Sequence, residues 1–312
     1  MRVVPLQSKR SRLWAASVGL FAILSSIAPS GVQAQTLDRL KQSGTIKLGY
    51  RADARPFSFQ DDAGMPGGYA VALCTRVADE LKKELGLTEL AVQWVALDMD
   101  ERFTAVNSGD ADLVCSANSV TLSRREMVSF SLPIFPSGTG ALLRGDAPLA
   151  LREVLEQGQP AERPIWRGSP ARTVLEKKTF AAVAGTTSEA WLKERVKTFK
   201  LDASVTTVAT YDEGIRNVLD GGSDVFFGDL PILLDASARS EGSGDLVVLN
   251  RHFTYEPLAL ALARGDEDFR LAVDRALSRL YRSPGFRDFF TEWFGRPDDA
   301  TVTFFRQTAL PD

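Results

Sequence analysis

Apolar positions along this chain follow two rhythms: short unbroken runs, and longer stretches in which apolar residues return every third or fourth position. The first is the pattern of strands buried on both faces, the second that of helices with one apolar stripe. Thr36 to Ser43 reads as a short polar helix, and Thr45-Ile-Lys-Leu-Gly49 as the first strand. Pro56-Phe57-Ser58-Phe59 with Gly64, Gly67 and Gly68 marks a loop and turn. From Ala70 the period becomes helical: Cys74, Val77, Ala78, Leu81 and Leu85 share a face, Lys82, Lys83 and Glu84 lie off it, and Gly86 ends the helix. Residues 91–96 predict a second strand, 100–107 a second helix closed by Gly109, and 112–115 a third strand. This β-α-β-α-β order implies a parallel sheet covered by helices.

Further on, 140–145, 181–184, 224–227 and 246–249 read as strands, 211–220 and 266–281 as helices, and another helix starts near Glu189. Residues 155–179, with Pro160, Pro164 and Pro170, are irregular and predict a surface insertion. Phe286, Phe289, Phe290 and Trp293 form an aromatic group that belongs to the core. Residues 297–312 read as a tail whose Val302-Thr-Phe-Phe305 segment docks on the surface.

The N-terminus is set apart. Lys9, Arg10 and Arg12 precede an uncharged apolar run from Leu13 to Ala28, then small residues and Val32-Gln33-Ala34. That order is the pattern of a secretory signal, residues 1–34, cut after Ala34. An uncleaved anchor is the rival, disfavoured by the shortness of the run and by the cleavage site. The absence of a cysteine near the cut argues against a lipid anchor. The segment holds four of the 37 basic residues and no acid, so the remainder carries 33 basic against 40 acidic residues, net −7. A mildly acidic chain without a basic stripe argues against nucleic acid as partner. It does not argue against an anionic ligand, because a few arginines in a cleft set the local field. The length of 312 residues suits about two compact units.

Cys74 lies on the apolar face of the first long helix and Cys115 ends the strand that face would cover. Export to an oxidising compartment makes a 74–115 disulfide the expectation, with two buried free thiols as the alternative. The single histidine, His252, has no cysteine or second histidine with which to build a metal site. Neither a Gly-x-Ser-x-Gly elbow nor a phosphate loop occurs. The expectation is a protein with no cofactor, no metal and no catalytic activity.

The stretch with the most chemistry is Ser116-Ala-Asn-Ser-Val-Thr-Leu-Ser-Arg-Arg-Glu-Met-Val-Ser-Phe-Ser131. It follows the buried run 113–115 and so sits at a strand's C-terminal end, where open α/β sheets bind ligands. Ser119 and Thr121 offer hydroxyls on one side of an extended chain, and the Arg124 guanidinium can grip a carboxylate through two parallel bonds. A helix N-cap beside a surface arginine is the plainer reading. Gly185-Thr-Thr-Ser-Glu189 opens a helix, where free N–H groups and hydroxyls form an anion site. Thr186 with Glu189 also has the spacing of a capping box, and both readings are compatible. Asp229 stands at a strand end, as an N-cap or as a cleft acid. Arg51 follows the first strand and Arg102 opens the second helix; taken singly, each reads as a surface arginine.

Taken together, the Ser-x-Thr-x-x-Arg of Ser119, Thr121 and Arg124, the Gly-Thr-Thr at Gly185, and Gly-Ser-Asp-Val-Phe-Phe-Gly-Asp229 resemble the motifs of the family 3 periplasmic solute-binding proteins, the amino-acid receptors of ABC importers. The resemblance runs from about Leu37 to Gly295. It implies a two-lobed, type II binding-protein fold of α/β class, with a parallel-sheet core in each lobe and two hinge crossovers. Residues 35–137 and 256–296 would form lobe one, 138–255 lobe two and 297–312 the tail. Phe130 to Thr139 would be the outward crossover and Thr254 to Gly265 the return. By the family's pattern Ser119, Thr121 and Arg124 hold an α-carboxylate, Thr187 closes on it with Thr186 as a secondary candidate, Asp229 takes the ammonium, and Tyr211 lines the cleft. Arg51 and Arg102 match arginines of glutamate/aspartate-binding members, and two guanidiniums beside the α-carboxylate site favour a second carboxylate on the ligand. Gly68-Tyr69 is followed by Ala70 where the family often has an acid, and Ala54 and Met99 replace side-chain-sandwiching aromatics. The implied protein is a monomeric periplasmic receptor that hands an amino acid to a membrane permease. Alternatives are an enzyme of the same fold acting on a carboxylate-rich substrate, resembling the cyclohexadienyl dehydratases, or the ligand-binding subunit of a sensory system.

Overall fold

The computed structural model describes residues 36–157 and 170–311. The expected signal segment, 1–34, and the middle of the 155–179 stretch lie outside the described residues. Among the described residues, no helix is long and apolar enough to cross a membrane.

The chain opens with α1 (Thr36–Ser43) and β1 (Thr45–Tyr50), then a small three-stranded sheet, β2 (Asp53–Ala54), β3 (Ser58–Gln60) and β4 (Pro66–Gly67). It continues through α2 (Tyr69–Glu84), β5 (Ala91–Ala96), α3 (Arg102–Ser108), β6 (Leu113–Ser119), α4 (Leu122–Arg125) and β7 (Ser129–Ser137). The second lobe holds β8 (Thr139–Arg144), α5 (Leu149–Gln157), α6 (Pro170–Leu175), β9 (Thr179–Val183), α7 (Thr187–Thr198), β10 (Ser204–Val208), α8 (Tyr211–Leu219), β11 (Val225–Asp229), α9 (Leu230–Arg239) and β12 (Leu246–Val248). The chain then returns through β13 (Glu256–Leu262) to α10 (Glu267–Arg282), α11 (Phe286–Phe294) and α12 (Asp299–Thr308).

Two five-stranded sheets result, ordered β5-β1-β6-β13-β7 and β10-β9-β11-β8-β12. Within each, three strands run parallel, β5-β1-β6 and β10-β9-β11. The expected parallel cores are therefore present but extended on one side by antiparallel strands: β13 against β6 and β7, and β8 against β11 and β12. The apolar run of β6 is buried along almost its whole length, as befits a central strand covered on both faces. α2 buries Leu73, Cys74, Val77, Ala78 and Leu81 over it, and the sulfurs of Cys74 and Cys115 are bonded there, 2.08 Å apart.

Both crossovers are built largely of strand, and two further expectations need correction. Phe130–Ser137 belongs to β7, whose Pro133 and Pro136 are tolerated because the strand is at the sheet edge. The return, from Glu256 onward, is β13, pushed between β6 and β7. The chain thus leaves one sheet for the other at Gly138 and comes back through 249–255. The described ends of the 155–179 stretch are helical: Leu155–Gln157 closes α5 and Pro170–Leu175 forms α6. The C-terminal tail is the helix α12, whose Phe305 is buried against Tyr281, Phe286 and Phe290.

Candidate ligand-binding site

The parallel strands of both sheets end at one place. Arg51 follows β1, Ser119 ends β6, Gly185-Thr186-Thr187 follows β9, and Asp229 ends β11. Side chains from both lobes enclose a cavity of about 20 Å³ lined by Arg51, Met99, Arg102, Ala117, Ser119, Arg124, Thr186, Thr187, Tyr211, Asp229 and Ile232. Eight of the nine predicted residues meet here; Thr121 does not. It caps α4, its Oγ1 accepting from Arg124 N at 3.2 Å and lying 3.1 Å from Ser123 Oγ. Its hydroxyl fixes the turn that carries Arg124 and is not offered to the cavity.

Arg124 is half-buried and reaches across the cleft. Its Nη1 donates to Ser119 O at 2.9 Å in its own lobe and its Nη2 to Gly185 O at 3.4 Å in the other. Burial lowers its pKa, opposed by the charges of Asp229 and Glu256. A second bridge joins Ser119 Oγ and Thr187 Oγ1, 3.3 Å apart. Thr186 serves the helix end: its Oγ1 accepts from Glu189 N at 3.2 Å and donates to Val183 O at 2.7 Å, while Glu189 Oε2 accepts from Gly185 N at 2.7 Å. The reciprocal pattern is a capping box displaced by one residue, and it leaves Thr187 at the first turn of α7 facing the cleft. Gly185, at φ +72°, supplies the left-handed turn that strand-to-helix geometry requires.

The three arginines differ in their partners. Arg51 is 5% exposed and ion-paired to Asp53 Oδ1 at 2.5 Å, with Nη1 3.5 Å from Met99 Sδ and a buried Nε that has no partner. Arg102, 7% exposed, stacks over Phe103 at 4.3 Å and has no hydrogen bond or ion pair among the described residues. Burial, Arg124 and Arg51 push its pKa down to about 9, with Asp100 opposing weakly. It also occupies the first position of α3, where the helix dipole disfavours a cation. Three effects oppose its charge, and among the described residues only the Phe103 ring and the more distant Asp100 act in its favour.

Asp229, 8% exposed, is the acid opposite these cations. It stands at the N-cap position of α9 yet makes no cap bond. Its Oδ1 accepts from Ser137 Oγ at 3.2 Å and its Oδ2 from Tyr211 Oη at 3.5 Å. Burial first, then the charge of Glu256, raises its pKa to about 6, against the pull of Ser137, Arg124 and Tyr211. Tyr211 has its own pKa raised by burial, then by Asp229, so its hydroxyl keeps its proton and remains a donor. Sequence reasoning missed Ala117, Ile232 and Glu256; apolar wall residues carry no signal of their own, and Glu256 becomes visible only once β13 is placed beside β7.

A family model, bacterial extracellular solute-binding proteins, family 3, matches residues 46–296. Over 277 residues the chain is 27% identical to an L-glutamate/L-aspartate-binding protein of Pseudomonas aeruginosa, covering 88% of this chain and 85% of that one. It is 24% identical to the L-cystine-binding protein TcyJ of Escherichia coli K12, covering 83% and 86%. Among solved structures it resembles the ancestral amino acid-binding protein AncCDT-1, a precursor of cyclohexadienyl dehydratase, with a TM-score of 0.66 and 26% identity over 84% of this chain and 100% of that chain. These named relatives are binding proteins, and this chain is one too, not an enzyme. Its two α/β lobes, the crossing strands between them and the match over nearly all of the described residues place it in the bacterial extracellular solute-binding proteins, family 3.

Proposed function

We propose that this protein is an exported receptor for a small acidic amino acid, glutamate- or aspartate-like, which it holds between its lobes and delivers to an ABC importer permease. Arg124, the hydroxyls of Ser119 and Thr187 and the free N–H groups at the start of α7 take the α-carboxylate. Asp229 takes the α-ammonium, and Tyr211 and Ser137 orient it. Arg102 takes the second carboxylate, with Arg51 adding its field from beside Asp53.

The observation that carries this reading is Arg102, a buried guanidinium without an acidic partner among the described residues. A neutral side chain leaves that cation uncompensated, at a cost on the order of 3–5 kcal/mol, whereas a carboxylate pairs it. The glutamate/aspartate-binding relative supports the same choice. A cavity of about 20 Å³ has room for roughly one water. An amino acid therefore enters through parted lobes, which swing about Gly138 and 249–255 and close on it. Contacts made only in the shut form shift the population toward it, and the permease reads that form.

Isothermal calorimetry with glutamate, aspartate, glutamine and asparagine tests the assignment. The acids are expected to bind at least tenfold more tightly than their amides. Equal affinity for glutamate and glutamine overturns it.

A further inference from the structure

Glu256 is the first residue of β13, in the returning hinge, and does not line the cavity. Its backbone partner across the strands is Ser137, the residue whose hydroxyl donates to Asp229 Oδ1 at 3.2 Å. Its Oε1 accepts from Thr254 Oγ1 at 2.8 Å, and its Oε2 is buried with no partner. Behind Thr254 runs a line of hydroxyls: Thr139 Oγ1 at 3.2 Å, then Ser188 Oγ at 2.9 Å from Thr139, in the first turn of α7. Thr254 Oγ1 is the donor to Glu256 Oε1 and also faces Thr139 Oγ1, while Thr139 N donates back to Thr254 Oγ1 at 2.9 Å. The helix that grips the α-carboxylate is thereby linked to an acid in the hinge.

The charged and titratable groups around this position are Arg124 from the α4 turn, Asp229 from β11, Tyr211 from α8, Arg51 and Asp53 beyond Tyr211, and His252 in the returning segment. Glu256 acts on two of them in opposite senses, favouring the charged form of Arg124 and the neutral form of Asp229. A buried acid with an orphaned oxygen is unfavourable on its own. It becomes useful where the ligand brings a cation.

We propose that Glu256 is a specificity-determining residue, a second acid behind Asp229 that makes the site demand an ammonium group and reject dicarboxylates that lack one. The inference rests on the amino-acid reading above. An acidic amino acid sets its ammonium against the two acids, with Asp229 in contact and Glu256 acting through the intervening low-dielectric space. Glutarate, with two carboxylates and no amine, would face both acids with nothing to offset them.

The test is the pair of dissociation constants for glutamate and glutarate, measured by calorimetry from pH 5 to 8 in the whole protein and in Glu256→Gln. The expected result is weaker glutamate binding, stronger glutarate binding and at least a tenfold fall in the ratio between them. The acid limb of glutamate binding should also move to lower pH, because Asp229 loses the neighbour that holds its proton. An unchanged ratio with an unchanged acid limb overturns the proposal while leaving the amino-acid reading intact. Failure of the native protein to bind any acidic amino acid overturns both. Thr254→Val, which releases Oε1 without removing the charge, should lower the ratio less than Glu256→Gln does. If Glu256→Gln does not fold, a Thr254→Val protein with native ratio and native pH profile counts against the proposal.

Discussion

Arg102 and Asp229 are each held against their preferred solvation, and each gives a prediction of definite sign. Replacing Arg102 by Met removes a cation that burial, two like charges and a helix dipole all oppose. The unliganded protein should therefore unfold several degrees higher in calorimetry, while glutamate affinity falls at least a hundredfold. A lower melting temperature would mean that Arg102 has a compensating partner in solution. Asp229 behaves oppositely with pH in folding and in binding. Its folded pKa, about 6, lies above the ordinary carboxylate range, so the folded state holds the proton more tightly than the unfolded chain. Its stabilising share is full below the unfolded value and is lost as pH rises through about 6. Ammonium binding needs the carboxylate and weakens as pH falls through the same point, about tenfold per unit below it. In Asp229→Asn both trends should flatten, which thermal melts and calorimetry between pH 5 and 8 would reveal.

The elements show which features the sequence carried and which it did not. Strand ends were legible because apolar runs stop shortly before Arg51, Gly185 and Asp229, whereas β6 continues past the apolar run 113–115 to Ser119. The strand at 130–137 carried no signal in the sequence, and the edge position of β7 is what lets it hold Pro133 and Pro136. The insertion of β13 between β6 and β7 is a long-range pairing that no local pattern encodes, and Glu256 was hidden with it. Thr121 has the same spacing whether it caps or binds, and the choice depends on where α4 begins. At this scale the bond between Cys74 and Cys115 ties α2 to β6 across 41 residues of sequence. Opening it with reductant should cost roughly 4 kcal/mol of lobe-one stability on the chain-entropy account, and thermal melts with and without reductant measure this.

At the scale of the whole molecule, the lobes are joined by strands that pass very close together. A Cβ added to Gly138 would lie 1.9 Å from Thr254 O. Gly138→Ala should therefore force the two crossing strands apart and destabilise the protein by about 1–3 kcal/mol. Small-angle scattering should also show a weaker compaction on adding glutamate than in the native protein. The bonds from Arg124 to Gly185 and from Ser119 to Thr187 join the lobes using the same atoms that would hold a ligand's α-carboxylate. Capture is then an exchange, one set of polar partners traded for another, and its net gain is smaller than a sum over ligand contacts suggests. The same exchange helps at unloading: as cargo departs, the jaws can mend these contacts with their own groups, and Arg124 is not left bare to pull it back.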